Sequence, residues 1–207
     1  MVRKTKEDAE LTRAQIIDAA REVFLSRGVS KTTMEHIAAQ AGLTRGAVYW
    51  HFENKTDLFH AMRERVFLPL IDRMDDTFLN EGSHDPITRV ENFLAGTIEH
   101  LNDDLQTRQI YEIMMMKCEY VGEFELVMQQ ILSTCTSITE KICATYERAK
   151  LSGHLNETLD PAELAMDTNM FFSGLLHMWV KDTDGTKFRY KAHDLIKAHI
   201  KLRRKYP

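Results

Sequence analysis

The sequence is poor in the two residue types that most often interrupt helices. It has four prolines and nine glycines among 207 residues, and the prolines are far apart. Because proline and glycine mark turns and helix ends, their scarcity favours long helices over a fold of short strands. A chain of this length can form one or two compact domains with a real core.

Cysteine and long apolar runs are scarce too. The three cysteines are odd in number and form no C-x-x-C pair, which argues against a disulfide framework or a zinc knuckle. No apolar run is long enough and free enough of charge to span a bilayer, and the first fifteen residues lack the apolar segment of a signal peptide. We therefore expect a cytoplasmic protein with no membrane partner.

The chain also lacks an excess of positive charge. Its net charge is −4 at pH 7, which argues against a general nucleic-acid coat. Up to His60, however, nine basic residues stand against eight acidic ones, whereas the rest of the chain is acidic. A weakly basic head on an acidic body is compatible with one small surface that binds a polyanion.

Helix signals begin near the amino terminus. Thr12 and Gln15 have the spacing of a capping box, which predicts a helix that begins there and ends at Gly28.

A second and a third short helix follow closely. Thr32 and Glu35 again have the spacing of a capping box, and the helix that they predict ends at Gly42. Thr44 can cap the third helix.

The rest of the chain also has helical periodicity. Asn54 and Asp57 open a predicted helix that runs to about Leu79, and Pro69 inside it predicts a kink. Further helical patterns cover residues 87–104, 105–120, 122–150, 161–180 and 187–204, with Asp85 and Asp160 as predicted caps. We therefore predict an all-α fold of about nine helices, in which a three-helix head precedes a larger bundle.

Residues 33–52 have the spacing of a helix-turn-helix. Ala38 is small where the two helices would cross, Gly42 can adopt the positive φ of the turn, and Val48 can pack the second helix back. Such a motif sets the first turn of its second helix into the major groove of DNA. A plain helical hairpin in a protein core has similar spacing and remains an alternative at this point.

The stretch GLTRGAVYWHFENKTDL, residues 42–58, favours DNA binding. Thr44 offers a hydroxyl for a cap or a phosphate, Arg45 can donate two hydrogen bonds to a guanine edge, and Gly46 allows close backbone approach. Further donors that can reach DNA phosphates are Tyr49, His51 and Lys55. We assign Trp50 and Phe52 to the protein core.

At these residues the sequence resembles a known family. The segment TRAQIIDAAREVFLSRGVSKTTMEHIAAQAGLTRGAVYWHFENKTDLF, within matching positions that span about residues 3–60, is similar to the N-terminal domain of TetR/AcrR-type transcriptional repressors. VRKTKEDAELTR near the start and EIMMMKCEYVGE at 112–123 resemble the AcrR/TtgR branch, which represses multidrug efflux pump genes. The resemblance implies a DNA-binding domain over residues 1–53 and a ligand-binding and dimerisation domain over residues 54–207.

The resemblance also implies partners and residue roles. The protein is expected to bind a palindromic double-stranded operator as a homodimer and to leave it when a small hydrophobic, drug-like inducer binds. Positions that grip phosphates in the family match Thr33, Thr44, Tyr49, His51 and Lys55, and positions that meet bases match Arg45 and Gly46. Arg3, Lys4 and Lys6 match a basic arm that can reach along the DNA.

The expected ligand site is more apolar than in some relatives. Tyr111, Met114 and Met115 stand where some relatives place Asn or His, and Phe67 stands where one is thought to use a buried Glu, so cationic drugs should suit this site less. The other candidate residues are Phe93, Ile110 and Phe172, with Gln130 and Asn169 as polar groups that could equally be structural. A ligand among these side chains could swing the helix at 54–79 and change the separation of the two DNA-binding heads.

The segment 161–180 is apolar on nearly every side and must be covered on more than one face. We therefore predict that the last two helices form the dimer interface, with Leu175, Leu176, Trp179 and Ile196 as its residues.

Other classes of function have less support. MMMKCE at 114–119 offers soft ligands for Cu(I), but adjacent helical residues point in different directions, so a soft-metal or metabolite sensor of the same family is the alternative. The sequence has no P-loop, G-x-G-x-x-G or G-x-S-x-G motif, and we expect neither an enzyme nor a bound cofactor. A pure interaction protein that has lost DNA binding is disfavoured by the intact Thr44, Arg45, Gly46 and Tyr49.

Overall fold

The computed structural model describes residues 6–79 and 85–205. The predicted arm residues Arg3 and Lys4 lie outside these ranges. Within them the chain forms nine α-helices and no strand longer than a single bridge, which confirms the predicted all-α fold. The helices are α1 (Lys6–Arg27), α2 (Met34–Gln40), α3 (Arg45–His51), α4 (Lys55–Leu79), α5 (Pro86–Asp103), α6 (Leu105–Glu112), α7 (Glu125–Leu151), α8 (Pro161–Lys181) and α9 (Ala192–Lys201).

The chain divides into two compact units. Unit 1 comprises Met1–Phe67 and Gln106–Met128, and unit 2 comprises Leu68–Leu105 and Gln129–Pro207. The start of α4 and the segment after α6 therefore pack with the head. The functional boundary between residues 53 and 54 stays a prediction.

Two of the predicted helix starts are wrong. α1 begins at Lys6, so Thr12 lies inside it and donates to the carbonyl of Asp8 at 2.8 Å. The acidic residues in its first turn favour this earlier start. α2 is capped by Thr33, whose Oγ1 accepts from the N–H of His36 at 3.3 Å, while Thr32 is buried and donates to the Gly28 carbonyl at 2.8 Å.

The other predicted caps are confirmed. Gly28, just past α1, has φ +79°, and the side chain of Asn54 accepts from the N–H of Asp57 at 2.9 Å. Asp85 and Asp160 each cap a helix whose first residue is proline. Pro69 lies inside α4, as predicted.

Two predicted helices are shorter than expected. Local hydrogen bonds accompany the early end of α6 and the late start of α9. After α6 the chain forms a π-helical turn, Ile113–Lys117. The hydroxyl of Tyr120 donates a hydrogen bond to the carbonyl of Met114 in this turn at 2.7 Å. Before α9, the carboxylate of Asp182 accepts from the N–H groups of Lys187, Phe188 and Arg189 at 3.0, 2.7 and 3.1 Å. These bonds hold a loop in place of the first turns of the predicted helix.

Each unit has its own core. In unit 1, α1 packs on α2 and α2 on α3, with Ile16, Phe24, Ile37 and Val48 fully buried between them. In unit 2, α5 and α8 pack on α9. No helix within the described residues is both long enough and apolar enough to cross a membrane.

Candidate nucleic-acid interface

The helix-turn-helix is formed as predicted. Gly42 has φ +64°, and the N–H of Leu43 donates to the Ala38 carbonyl at 2.9 Å, which closes the turn between α2 and α3. Ala38 and Val48 are 3% and 0% exposed, so the small residue and the returning apolar residue lie where the spacing predicted them. The turn hydrogen bond and the burial of Ala38 and Val48 thus set the position of α3 against α2.

The first turn of α3 faces outward. The hydroxyl of Thr44 caps the helix by accepting from the N–H of Ala47 at 3.2 Å. Arg45 has a side chain 66% exposed, and Tyr49 is 46% exposed one helical turn later. A Cβ at Gly46 would meet no described atom within 4 Å. Arg45, Gly46 and Tyr49 therefore share an outer surface that a DNA duplex can reach.

The predicted assignment of Trp50 to the core is wrong. Trp50 is 72% exposed, whereas its neighbour Phe52 is 1% exposed and lies 5.1 Å from the guanidinium of Arg13. Among the residues of α3, all of which the structure describes, Val48 alone is buried. Because α3 inserts only this side chain into the core, Trp50 lies on its outer side. The half-buried ring of His51 packs edge-on against the Trp50 ring, with centroids 4.5 Å apart.

Lys55 is held by the protein itself. Its ammonium lies 3.3 Å from a carboxylate oxygen of Glu123 and 5.5 Å from the ring centroid of Phe124, and its side chain is 15% exposed. Phe124 is buried and packs edge-on against Phe59 at 5.4 Å. Sequence reasoning missed this partner because Glu123 lies 68 positions away in the chain. The predicted phosphate contact Thr33 and the predicted arm residue Lys6 are both exposed.

Glu35 is a second acidic residue that the sequence analysis did not place at this surface. Its carboxylate lies 2.6 Å from the guanidinium of Arg45, and its side chain is 44% exposed. The signal that could have found it is its place in the first turn of α2, beside the turn that presents Arg45.

The ligand-site candidates fall into both units. In unit 1, Ile110, Tyr111 and Met114 are buried, Met115 is half-buried, and the ring of Phe67 lies 6.3 Å from that of Tyr111.

Unit 1 also buries a cation that the sequence analysis missed. The guanidinium of Arg63 lies 5.8 Å from the Phe67 ring, and Arg63 donates to the carbonyl of Val127 at 3.4 Å. Burial lowers the pKa of Arg63. The surroundings of Phe67 are therefore less purely apolar than predicted.

In unit 2, Phe93 and Phe172 are buried and Gln130 is exposed. The amide of Asn169 donates to the Cys135 carbonyl at 3.2 Å and to the Thr139 hydroxyl at 2.6 Å. These two hydrogen bonds join α8 to α7, which favours the structural interpretation of Asn169 over the ligand-binding one.

The four predicted interface residues lie in the interior of a single chain. Leu175 and Leu176 are 8% and 7% exposed, Trp179 and Ile196 are each 1% exposed, and the guanidinium of Arg189 covers the Trp179 ring at 4.3 Å. Buried side chains have no surface left for a partner to cover, so this prediction needs correction. The exposed large apolar residues of α8 and α9 are Met166, Met170, Met178 and Leu195.

Two protein-family models match the chain. Residues 16–62 match the bacterial regulatory proteins of the tetR family. Residues 85–204 match the C-terminal region of the MAATS-type transcriptional repressors.

Individual relatives match over most of their length. The HTH-type transcriptional regulator TtgR of Pseudomonas putida is 36% identical over 87% of this chain and 85% of its own. The structure of NalD, the secondary repressor of the MexAB-OprM multidrug efflux pump in Pseudomonas aeruginosa, is 30% identical, with a TM-score of 0.85 over 97% of this chain and 99% of its own. A SmeT–triclosan complex is 29% identical, with a TM-score of 0.78 over 91% of this chain and 90% of its own.

These matches agree with the geometry. The tetR-family match contains the helix-turn-helix with its outward Arg45, Gly46 and Tyr49, and the MAATS-type match contains α5 to α9. The chain belongs to the TetR family of bacterial regulatory proteins and carries the C-terminal region of a MAATS-type transcriptional repressor.

Proposed function

We propose that this protein is a ligand-responsive repressor that binds a palindromic operator as a homodimer and controls a multidrug efflux operon. The observation that carries the proposal is the outward surface of α3, where Arg45 and Gly46 in its first turn and Tyr49 one turn later are exposed on a helix-turn-helix. NalD and SmeT, which are repressors of multidrug efflux pumps, support the choice of target.

DNA reading follows from the side chains of α3. Arg45 has the length and the paired donors to bind the O6 and N7 atoms of a guanine in the major groove. Tyr49 lies one turn further along the helix and can donate its hydroxyl to a phosphate. Gly46, between them, lets the backbone come close to the DNA.

A homodimer would present two such helices to the two halves of a palindrome. We infer that its interface is formed by the exposed apolar side chains of α8 and α9, Met166, Met170, Met178 and Leu195. Methionine is flexible and polarisable, so it packs well against its own symmetry copy.

Release from DNA requires a ligand that prefers the arrangement that does not bind DNA. We propose that a hydrophobic compound binds among the candidates Phe67, Tyr111 and Met114 of unit 1. The SmeT complex with triclosan supports triclosan as the first probe. We propose that α4 transmits the change, because it begins at the head and ends in unit 2.

Footprinting on the DNA upstream of the protein's own gene tests the proposal. We expect a protected palindrome that loses protection when triclosan or another hydrophobic drug is added. Protection that persists with every drug bound would refute the induction mechanism. Absence of a specific footprint would refute operator binding itself.

A further inference from the structure

Arg45, the proposed base-reading residue, forms an ion pair within the protein itself. The guanidinium of Arg45 lies 2.6 Å from a carboxylate oxygen of Glu35, and both side chains are substantially exposed, at 66% and 44%. Glu35 lies in the first turn of α2 and Arg45 in the first turn of α3, so the pair joins the two helices of the motif at its outer surface.

The carboxylate of Glu35 lies at the start of α2, beside its cap Thr33. Hydrogen bonding at this helix start, together with the charge of Arg45, lowers the pKa of Glu35. Glu35 is therefore ionised at neutral pH, and it restricts the positions that the long Arg45 side chain can take.

An arginine can bind guanine without leaving such a partner. Its guanidinium has five N–H donors, and a bidentate contact with guanine uses two of them. On DNA that lacks the guanine, no base edge offers Arg45 the paired O6 and N7 acceptors, so phosphate oxygens compete more strongly for its guanidinium. If Arg45 turns from Glu35 toward a phosphate, it leaves a carboxylate facing a polyanion.

We infer that Glu35 is a specificity-determining residue of the DNA-binding surface, which positions Arg45 for a base edge and opposes binding to DNA without that base. This inference rests on the proposed function. Its effect should fall mainly on binding to non-specific DNA, where nothing compensates for the exposed carboxylate.

The substitution Glu35→Gln tests this, because it removes the charge and keeps the size of the side chain. Exposed ion pairs contribute little to folding stability, so the variant should fold normally. Fluorescence anisotropy would measure its affinity for the footprinted operator and for a scrambled duplex of equal length over a range of salt concentrations. We expect scrambled DNA to bind about fivefold tighter and the operator to bind no tighter, so that discrimination falls about fivefold.

Two controls separate positioning from general charge. Glu64→Gln removes one negative charge from α4 in the same unit, at a side chain that is 46% exposed, and it should leave discrimination unchanged. In an Arg45→Gln background, Glu35→Gln should no longer change discrimination, because the side chain that it positions is gone.

The outcomes are distinguishable. If wild-type protein discriminates but Glu35→Gln discriminates equally well, the inference is wrong and the proposed function stands. An equal loss in Glu64→Gln, or a full effect of Glu35→Gln without Arg45, would also overturn it. If the wild-type protein does not discriminate at all, operator binding and this inference fail together.

Discussion

Gly46, in the first turn of α3, has no described atom within 4 Å of the position that a Cβ would occupy. The fold itself therefore does not require glycine there. Alanine favours a helix by about 0.5–1 kcal/mol over glycine, so Gly46→Ala should leave the free energy of unfolding equal or higher. If the backbone approaches DNA at this residue, the added methyl group should weaken operator binding by roughly tenfold or more.

Chemical denaturation and gel-shift titration measure the two effects separately. Gly96→Ala is a matched control, because Gly96 also lies in a helix with open space around it and is remote from the motif in sequence. Unchanged operator affinity of Gly46→Ala would exclude a close backbone approach at this residue.

Trp50 offers a direct probe of the same surface. The chain has two tryptophans, of which Trp50 is 72% exposed and Trp179 is 1% exposed. Acrylamide should therefore quench mainly Trp50, and operator DNA should reduce that quenching if α3 enters the groove. Trp50→Phe should lose the quenchable emission, whereas Trp179→Phe should keep it. Quenching of wild-type protein that DNA leaves unchanged would place Trp50 outside the interface.

Single residues of the motif were predictable where backbone geometry dictated them. Gly42 was predictable because the turn needs a positive φ, and Val48 because the second helix must return to the core. The exposure of Trp50 was not predictable. A large aromatic side chain close to Phe52 suggests a core position, but the direction in which it points depends on how α3 is rotated about its axis.

At the scale of elements, the short turn Gly122–Phe124 before α7 places Glu123 beside Lys55, a predicted phosphate contact. A carboxylate oxygen of Glu123 lies 3.3 Å from the Lys55 ammonium, so its negative charge should oppose a phosphate that approaches Lys55. Glu123→Gln should therefore strengthen binding to operator and to scrambled DNA alike. Lys55→Ala should weaken both and reduce the slope of log K against log salt by about 0.9, the value for one phosphate contact.

Affinity measurements over a range of salt concentrations test this pair. Glu125→Gln, an exposed acidic residue at the start of α7, is the matched control for loss of one charge. Equal effects of Glu123→Gln and Glu125→Gln would show that the ion pair with Lys55 has no part in DNA binding.

Helices were predictable where their ends carry local signals. Asp85 with Pro86, and Asp160 with Pro161, marked helix starts that the structure confirms. The π-helical turn at Ile113–Lys117 was not predictable, because its local hydrogen bond from Tyr120 is joined by a contact distant in sequence. There the N–H of Val29, just past α1, donates to the Lys117 carbonyl at 2.9 Å.

At the scale of the whole molecule, the basic carboxyl terminus stabilises unit 2. Arg204 donates to the carboxylate of Asp85, the cap of α5, at 3.1 and 3.2 Å and to the Thr88 hydroxyl at 2.7 Å. Partial burial alone would raise the pKa of Asp85, but hydrogen bonds from Thr88 and Arg204 prevail and lower it from 3.8 to about 2.

This pKa predicts how stability depends on pH. A carboxyl whose pKa is lower in the folded state stabilises the fold above its unfolded pKa, and the contribution is lost as pH falls through the folded value. The free energy of unfolding should therefore fall between about pH 4 and pH 2, and less steeply in Asp85→Asn. Urea denaturation at several pH values measures this. An identical pH dependence in both proteins would contradict it.

Asp160 separates the two roles of Asp85. It caps α8 through the N–H groups of Ala162 and Glu163. Asp160→Ala should lower the free energy of unfolding by about 1 kcal/mol, the usual contribution of a helix cap. Asp85→Ala should cost more, because it also leaves Arg204 without this partner. If both variants lost the same free energy of unfolding, Asp85 would stabilise the protein only as a helix cap, with no contribution from its contact with Arg204.

A dimer would connect the two DNA-binding heads, and the structure buries the residues that the sequence predicted for its interface. The apolar surface of α8 predicts cover on more than one face, but which face the chain itself covers depends on how α9 packs against it. Leu175 and Trp179 face inward, whereas Met166 and Met170 are 54% and 57% exposed. The outward methionines therefore remain for a partner.

Met170→Glu tests this assignment, because it places a charge on each copy at a self-complementary face. The side chain is exposed in a single chain, so the fold should tolerate the change, while sedimentation equilibrium should show a monomer. Leu175→Ala should leave the protein dimeric but lower its free energy of unfolding by about 2–5 kcal/mol, because Leu175 is buried. A monomer has one recognition helix, so Met170→Glu should still bind an isolated half-site but lose the extra affinity for the full palindrome. If Met170→Glu and Met166→Glu both remain dimeric, the interface lies elsewhere on the molecule.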